Sequence, residues 1–241
     1  HRVVAEELFR YFENKLPCVE MARQGQVAPD FGPVRKAFLT GLNAQDRGDF
    51  EEAAQRYREC VSLNAGYARL AAKQLTLMAR GTLEGPTPEK AYPYARDAVT
   101  LAPDDTLALQ ALGLAAQAHG LYADAVEAFE KGVQLLPGSA LLWRELALAR
   151  AQNGDPAGAD TAFATMIGMM PDNTPEQRHL TFLALLAFGD RSLNSKQPGM
   201  ALKAYDAAVT LAPDNPAALE SQQNTRITIA IQEREAAIHE W

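Results

Sequence analysis

The side chains of this sequence that could make or break bonds stand apart from one another. Four histidines, His1, His119, His179 and His239, are scattered, and no two share a helical face at metal-ligand spacing. The two cysteines, Cys18 and Cys60, form no Cys-x-x-Cys pair and are too few for a disulfide framework. They point neither to zinc or redox work nor to a compartment. Glycine-rich phosphate loops and Gly-x-Ser-x-Gly elbows are missing from the sequence. Acid pairs such as Glu51-Glu52 and Asp104-Asp105 fall in turns or first helical turns, where negative charge stabilises a helix without any catalytic duty. His119, before Gly120 at an expected helix end, has the same kind of sufficient role at the negative pole of the dipole. The expectation is a chain that is not an enzyme, with no metal and no cofactor. What remains is recognition, by side chains spaced along helices.

One pattern of large, small and breaker residues positions those side chains. It is clearest from Leu109 to Pro137, through Leu112-Gly113, Ala116, Gly120, Tyr122, Ala125, Phe129 and Gly132, and it recurs between residues 34 and 215. The small residue opening each second helix is Ala53, Ala91, Ala125, Ala159 or Ala201, at gaps of 38, 34, 34 and 42. That is a period of 34 with insertions of 4 and 8. The heptapeptide Ala-Val-Thr-Leu-Ala-Pro-Asp at 98–104 returns unchanged at 208–214.

Each unit reads as helix, turn, helix, turn. A Gly or Ala near the middle of the first helix (Gly41, Gly113, Ala147, Gly189) lets the second helix come close. Gly48, Gly120 and Gly154 end first helices by supplying a positive φ. Tyr57, Phe129, Phe163 and Tyr205 follow the small alanine by four residues and share its face. Prolines 103, 137, 171 and 213 stop the second helices, and Asp105, Ser139, Thr174 and Asn215 cap the next helices. Thr174-Pro175-Glu176-Gln177 predicts a start whose helix runs to about Asn194, taking up the 8 extra residues as two turns. The 4-residue insertion is expected as a loop in Gly81-Thr82-Leu83-Glu84-Gly85-Pro86-Thr87-Pro88.

The ends differ. Residues 1–33 read as a cap for the first repeat, with a docking element as the alternative: a helix over 3–16, a second over 18–24, and a loop through Gly25, Pro29, Gly32 and Pro33. Residues 216–241 read as one helix. Its Ile227, Ile231, Ile238 and Trp241 recur at steps of 4, 7 and 3, interrupted by Arg234. Self-association through this seam and a fold-back onto the last repeat are both open. The fold-back is the preferred reading, since two heptads alone rarely hold a coiled coil.

On these residues the chain resembles the tetratricopeptide repeat (TPR) family. The units are 34–67, 68–105, 106–139, 140–173 and 174–215, between the cap 1–33 and a solvating helix 216–241. The second unit departs from the pattern, with Ala95 for the aromatic and Thr82 for Gly, and the first has Ala65 for the closing Pro. The resemblance implies an all-α solenoid, a right-handed superhelix of about five helix-turn-helix repeats. Gly81 to Pro86 and Leu135-Leu136-Pro137-Gly138-Ser139 are also similar to TPR domains of bacterial cytochrome c maturation proteins, which hold unfolded apocytochrome in the periplasm.

In TPR proteins the first helices line a concave groove. That implies a partner-binding face of Arg35, Phe38, Leu42, Gln45; Arg69, Ala72, Thr76, Ala79; Leu107, Gln110, Leu114, Gln117; Leu141, Arg144, Leu148, Ala151; and Leu183, Leu186, Asp190, Leu193. Three arginines against one aspartate make it basic. The implied partner is a protein or peptide segment with apolar anchors and some carboxylates. Phe38 and Leu42 occupy the slots where chaperone-binding TPR proteins carry the Lys and Asn of a carboxylate clamp, which argues against that type of tail.

A net charge of -7 argues against nucleic acid, which needs concentrated Lys and Arg. No run of about 18 apolar residues predicts a membrane span. The start at His1-Arg2 leaves an excised or mature segment open, with cytoplasm and periplasm both possible compartments and an upstream anchor not ruled out. Three functions therefore stand: a binding scaffold, a chaperone-like holder of an unfolded client, or a regulatory TPR domain of a larger enzyme.

Overall fold

The computed structural model describes residues 32–170 and 174–239. Among them are eleven α-helices and two short 3-10 segments, with no strand. The expected helices over 3–16 and 18–24, Pro171, and Trp241 lie outside the described residues. The chain divides into two compact units, one ending at His119 and the other starting at Gly120.

The first unit holds α1 (Gly32–Asp46), α2 (Phe50–Leu63), α3 (Ala68–Leu83), α4 (Tyr92–Leu101) and α5 (Thr106–His119). Helices α1 and α2 form one hairpin, α3 and α4 a second, and α5 packs on both α3 and α4. Phe38 and Tyr57 meet in the first hairpin with ring centroids 5.7 Å apart. Gly41 makes that approach possible, because a Cβ there would come within 2.8 Å of the Tyr57 ring. Around the degenerate second repeat the core is nearly all alanine: Ala79, Ala91, Ala95, Ala111 and Ala115 are buried together. Small side chains there let three helices crowd where an aromatic is missing.

The second unit holds α6 (Tyr122–Leu135), α7 (Ala140–Gln152), α8 (Pro156–Met169), α9 (Pro175–Asn194), α10 (Pro198–Leu211) and α11 (Pro216–His239). Helix α7 packs against both α6 and α8, while α10 packs against α9 and α11. The Phe163 and Phe188 rings stack at 5.5 Å and tie α8 to α9. Gly189 lies against the Tyr205 ring as Gly41 lies against Tyr57, and a Cβ would run into it.

Helix ends follow the local chemistry. Helices α4, α6 and α10 each close two residues before their proline, at Leu101, Leu135 and Leu211. The oxygens of Asp105, Ser139, Thr174 and Asn215 accept from Ala108, Leu142, Gln177 and Ala218 amides at 3.3, 3.3, 3.1 and 3.1 Å. At the other ends Gly48, Gly120 and Gly154 have φ of 79°, 81° and 81°. The Gly48 and Asp49 amides donate to Gln45 and Ala44, a Schellman closure, and Lys196 and Gln197 repeat it on Leu193 and Ser192. Lys196, however, carries a side chain at φ 59°. Lys196→Gly is expected to stabilise the second unit by about 0.5–1 kcal/mol, seen as a higher urea midpoint.

Three expectations need correction. Helix α1 begins at Gly32, so Pro33 lies in a first turn, where the amide it lacks has no partner to lose. Helix α3 runs to Leu83, so 81–83 are helical and not loop. Thr82 is buried with its hydroxyl donating to the Met78 carbonyl at 2.8 Å, and that packing overrides the low helix propensity of Gly81. The part of the α11 seam that is described, Ile227 and Ile231, does not fold back. Ala218 and Thr225 are buried against the unit, whereas Ile227 and Ile231 are 51% and 53% exposed. At 100° per residue these two lie roughly 200° and 240° round the helix from Thr225, on the opposite side.

Candidate functional site

In the second unit the first-helix face is carried by α7 and α9. Leu141, Leu183 and Leu193 are exposed, and Arg144, Ala151 and Leu186 are half-buried. Leu148 is only 1% exposed, so its side chain is closed off. The reason is the crowding of α7, which has α6 and α8 on two sides and is buried at every position from Glu145 to Leu148 and Ala149.

At the centre sits a carboxylate. Glu145 is 1% exposed overall, and its Oε1 accepts from Arg144 Nε and Nη2 at 3.1 and 2.7 Å. Arg191 of α9 reaches the same group, Nη1 to Oε1 and Nη2 to Oε2, both at 2.7 Å. Both guanidiniums hydrogen-bond to Oε1, and the Arg191 Nη2–Oε2 contact is an ion pair without a hydrogen bond, so one oxygen gathers all three bonds. Two cations on one anion give this cluster one net positive charge, next to the exposed Asp190 carboxylate. Asp190, the next residue, accepts from the Tyr205 hydroxyl at 2.6 Å. Burial first, then Asp190, holds the Tyr205 proton well above the ordinary phenol range.

In the first unit the corresponding face is less open. Arg35, Arg69 and Leu107 are exposed, and Leu42, Gln45, Gln110, Leu114 and Gln117 are half-buried. Phe38 is 2% exposed and belongs to the core, as do Ala72, Thr76 and Ala79. Phe38 therefore offers no anchor to a partner. Arg69 is engaged with Asp104 at 2.7 Å, and Gln45 accepts from Tyr57 at 2.6 Å.

No protein-family model matches the chain, and no curated protein matches it. Solved structures do match. The C-terminal part of a TPR repeat-containing protein from Cytophaga hutchinsonii is similar at TM-score 0.54 and 16% identity, over 82% of this chain and 76% of that one. The fold is the TPR fold. The crystal structure of a MamA protein is also similar, at TM-score 0.49 and 17% identity over 74% of this chain and 91% of that one. So is a thermophilic TPR protein of Thermus thermophilus, at TM-score 0.46 and 16% identity over 80% and 99%.

Within this TPR frame, Glu145 and Arg191 are functional candidates that the groove spacing missed. Glu145 carried a signal: Leu142, Glu145, Leu146 and Ala149 make an i, i+3, i+4, i+7 stripe, so an acid stood in an otherwise apolar line. Arg191 lies 46 residues away, and nothing local announces its partner.

Among the described residues no group of three or more His, Cys, Asp or Glu could hold a metal, and no helix is long and apolar enough to cross a membrane. His119 stacks on Tyr92 at 5.7 Å. Cys60 is fully buried, and burial first, then Glu59, pushes its thiol up to about 11. In a Cys18→Ser background, Cys60 is expected to resist a thiol reagent at pH 8 until urea unfolds the chain. Its folded value lies above the unfolded one near 9, so its stabilising contribution is full below pH 9 and is lost as pH rises through 11.

Proposed function

We propose that this chain is a non-catalytic protein-interaction scaffold whose first-helix faces hold a partner segment. The carrying observation is the second unit's surface: exposed Leu141 and Leu183 beside a guanidinium pair locked by a buried carboxylate. Such a face suits a segment with apolar anchors and a few acidic residues, laid as a helix or an extended strand. Locking matters because a preorganised guanidinium gives up less freedom when it meets a partner carboxylate. Arg144 is unsuitable as the test position, since reversing its charge would strand Glu145.

The test places a photo-crosslinking amino acid at Leu183, with Lys131 on the exposed side of α6 as control, in cells of the native host. A crosslinked partner is expected at position 183, absent at 131, and lost on adding Leu141→Asp. Equal products at both positions would remove this face as the site.

A second reading, self-association through α11, is favoured by the exposure of Ile227 and Ile231. Sedimentation of the chain should then show a dimer that Ile227→Glu/Ile231→Glu abolishes. A monomer at every concentration discards it.

A further inference from the structure

Between the start of α2 and α4 the first unit carries a cleft. It consists of two hollows, of about 410 and 550 Å³, that share Asp49, Glu51 and Tyr94 in their walls. The 84–87 turn, part of the 4-residue insertion, supplies Gly85, Pro86 and Thr87 to the first hollow. Asp97 and Arg58 stand in the second. Each hollow is large enough for one or two side chains of a partner, within the usual range of binding pockets.

The wall has both an apolar floor and a negative rim. Phe50 and Tyr94 meet edge to face at 6.1 Å, and the half-buried Tyr94 lines both hollows. The Tyr94 hydroxyl bonds to no protein group among the described residues. Three of the four carboxylates have duties: Asp49 caps the Glu52 amide at 3.1 Å, Glu52 pairs with Arg47 at 2.8 Å, and Asp97 pairs with Arg58 at 2.8 Å. Glu51 has none, and it is exposed at the rim. In the Arg58–Asp97 pair the guanidinium is exposed and the carboxylate half-buried, and a pair open to water on one side contributes little. Burial, followed by Glu51 and Asp49, raises the Tyr94 phenol above its ordinary value, while Arg58 works the other way. The hydroxyl thus lies in the field of both acids.

We infer that this cleft docks a basic segment of a protein partner, with a Lys or Arg head between Glu51 and Asp49 and its aliphatic stem on the Tyr94 ring. Charge complementarity selects that occupant: Arg47 and Arg58 neutralise Glu52 and Asp97, which leaves Asp49 and Glu51 facing the single cation Lys90, a net negative wall. An aromatic floor under an acidic rim favours a long cationic side chain over a compact cation. The site belongs to the first unit, whereas the leucine and arginine face belongs to the second, so one chain would hold two dissimilar segments.

The experiment uses the full chain and the peptide Ac-Leu-Lys-Ala-Arg-Leu-amide, followed by amide chemical shifts at low salt. Saturable shifts are expected around residues 48–52 and 81–97. Affinity should fall about fivefold in Glu51→Gln and about as much in Tyr94→Ala, and stay unchanged in Glu220→Gln of the second unit. The proposal is overturned if shifts spread over acidic residues throughout the chain or if Glu51→Gln binds as well as the parent. It is equally overturned if the peptide with Glu in place of Lys and Arg, or spermidine, binds as tightly. Circular dichroism of both variants separates lost binding from lost folding.

Discussion

Glu145→Ala is expected to destabilise the second unit by about 3 kcal/mol, measured as a fall in the urea midpoint with little change in slope. The carboxylate is the counter-charge for two guanidiniums whose side chains are 29% and 37% exposed. Removing it leaves two half-buried cations facing each other, and it also cuts the polar tie between α7 and α9. The figure sits at the low end for broken buried ion pairs because both arginines retain some water, which screens what remains. A triple replacement, Arg144→Met with Glu145→Leu and Arg191→Met, should recover most of the loss, since packed apolar groups of similar volume often match a buried ion cluster. If Glu145→Ala shifts the midpoint no more than an exposed control such as Glu127→Ala, the carboxylate does not hold the two helices together.

Gly189→Ala is expected to cost about 2 kcal/mol in the same unit. The added methyl would be driven into the Tyr205 ring, a fully buried side chain pinned at its far end by the bond to Asp190. The ring cannot retreat without lengthening that bond or moving α10, and overpacking of this kind typically costs about 1–3 kcal/mol. Tyr205→Leu in the same background should return part of the loss, because it removes the atoms in the way. Gly154→Ala provides the contrast: open space surrounds it, and only its φ of 81° resists a side chain. Equal loss at both positions would show that backbone conformation, and not the close approach, sets the cost at 189.

Much of the fold was legible because its signals are local. A cap oxygen, a proline two residues past a helix end and a glycine at positive φ each act within one turn. That is why Asp105, Ser139, Thr174, Asn215 and the long α9 stand where expected. The candidate site was legible only in part. Spacing along one helix says which side chains share a face, but it does not say how many neighbours close over that face. Phe38 and Leu148 were lost to such neighbours. The Glu145–Arg191 contact and the cleft at Tyr94 depend on helices brought together from distant parts of the chain, and no window of sequence contains both halves.

The outward half of α11 has a consequence in time as well as in space. From Arg226 to Ala237 every side chain except Ile229 is exposed, so these turns have almost nothing to lean on. About a dozen residues of helix standing alone in water are marginal. Amide protons beyond Thr225 should therefore exchange with solvent nearly as fast as in a peptide, while those of Ala218 to Thr225 wait for the unit to open. Cooperative packing of α11 ends at Thr225, and the turns beyond it gain their full helicity only when something lies along them.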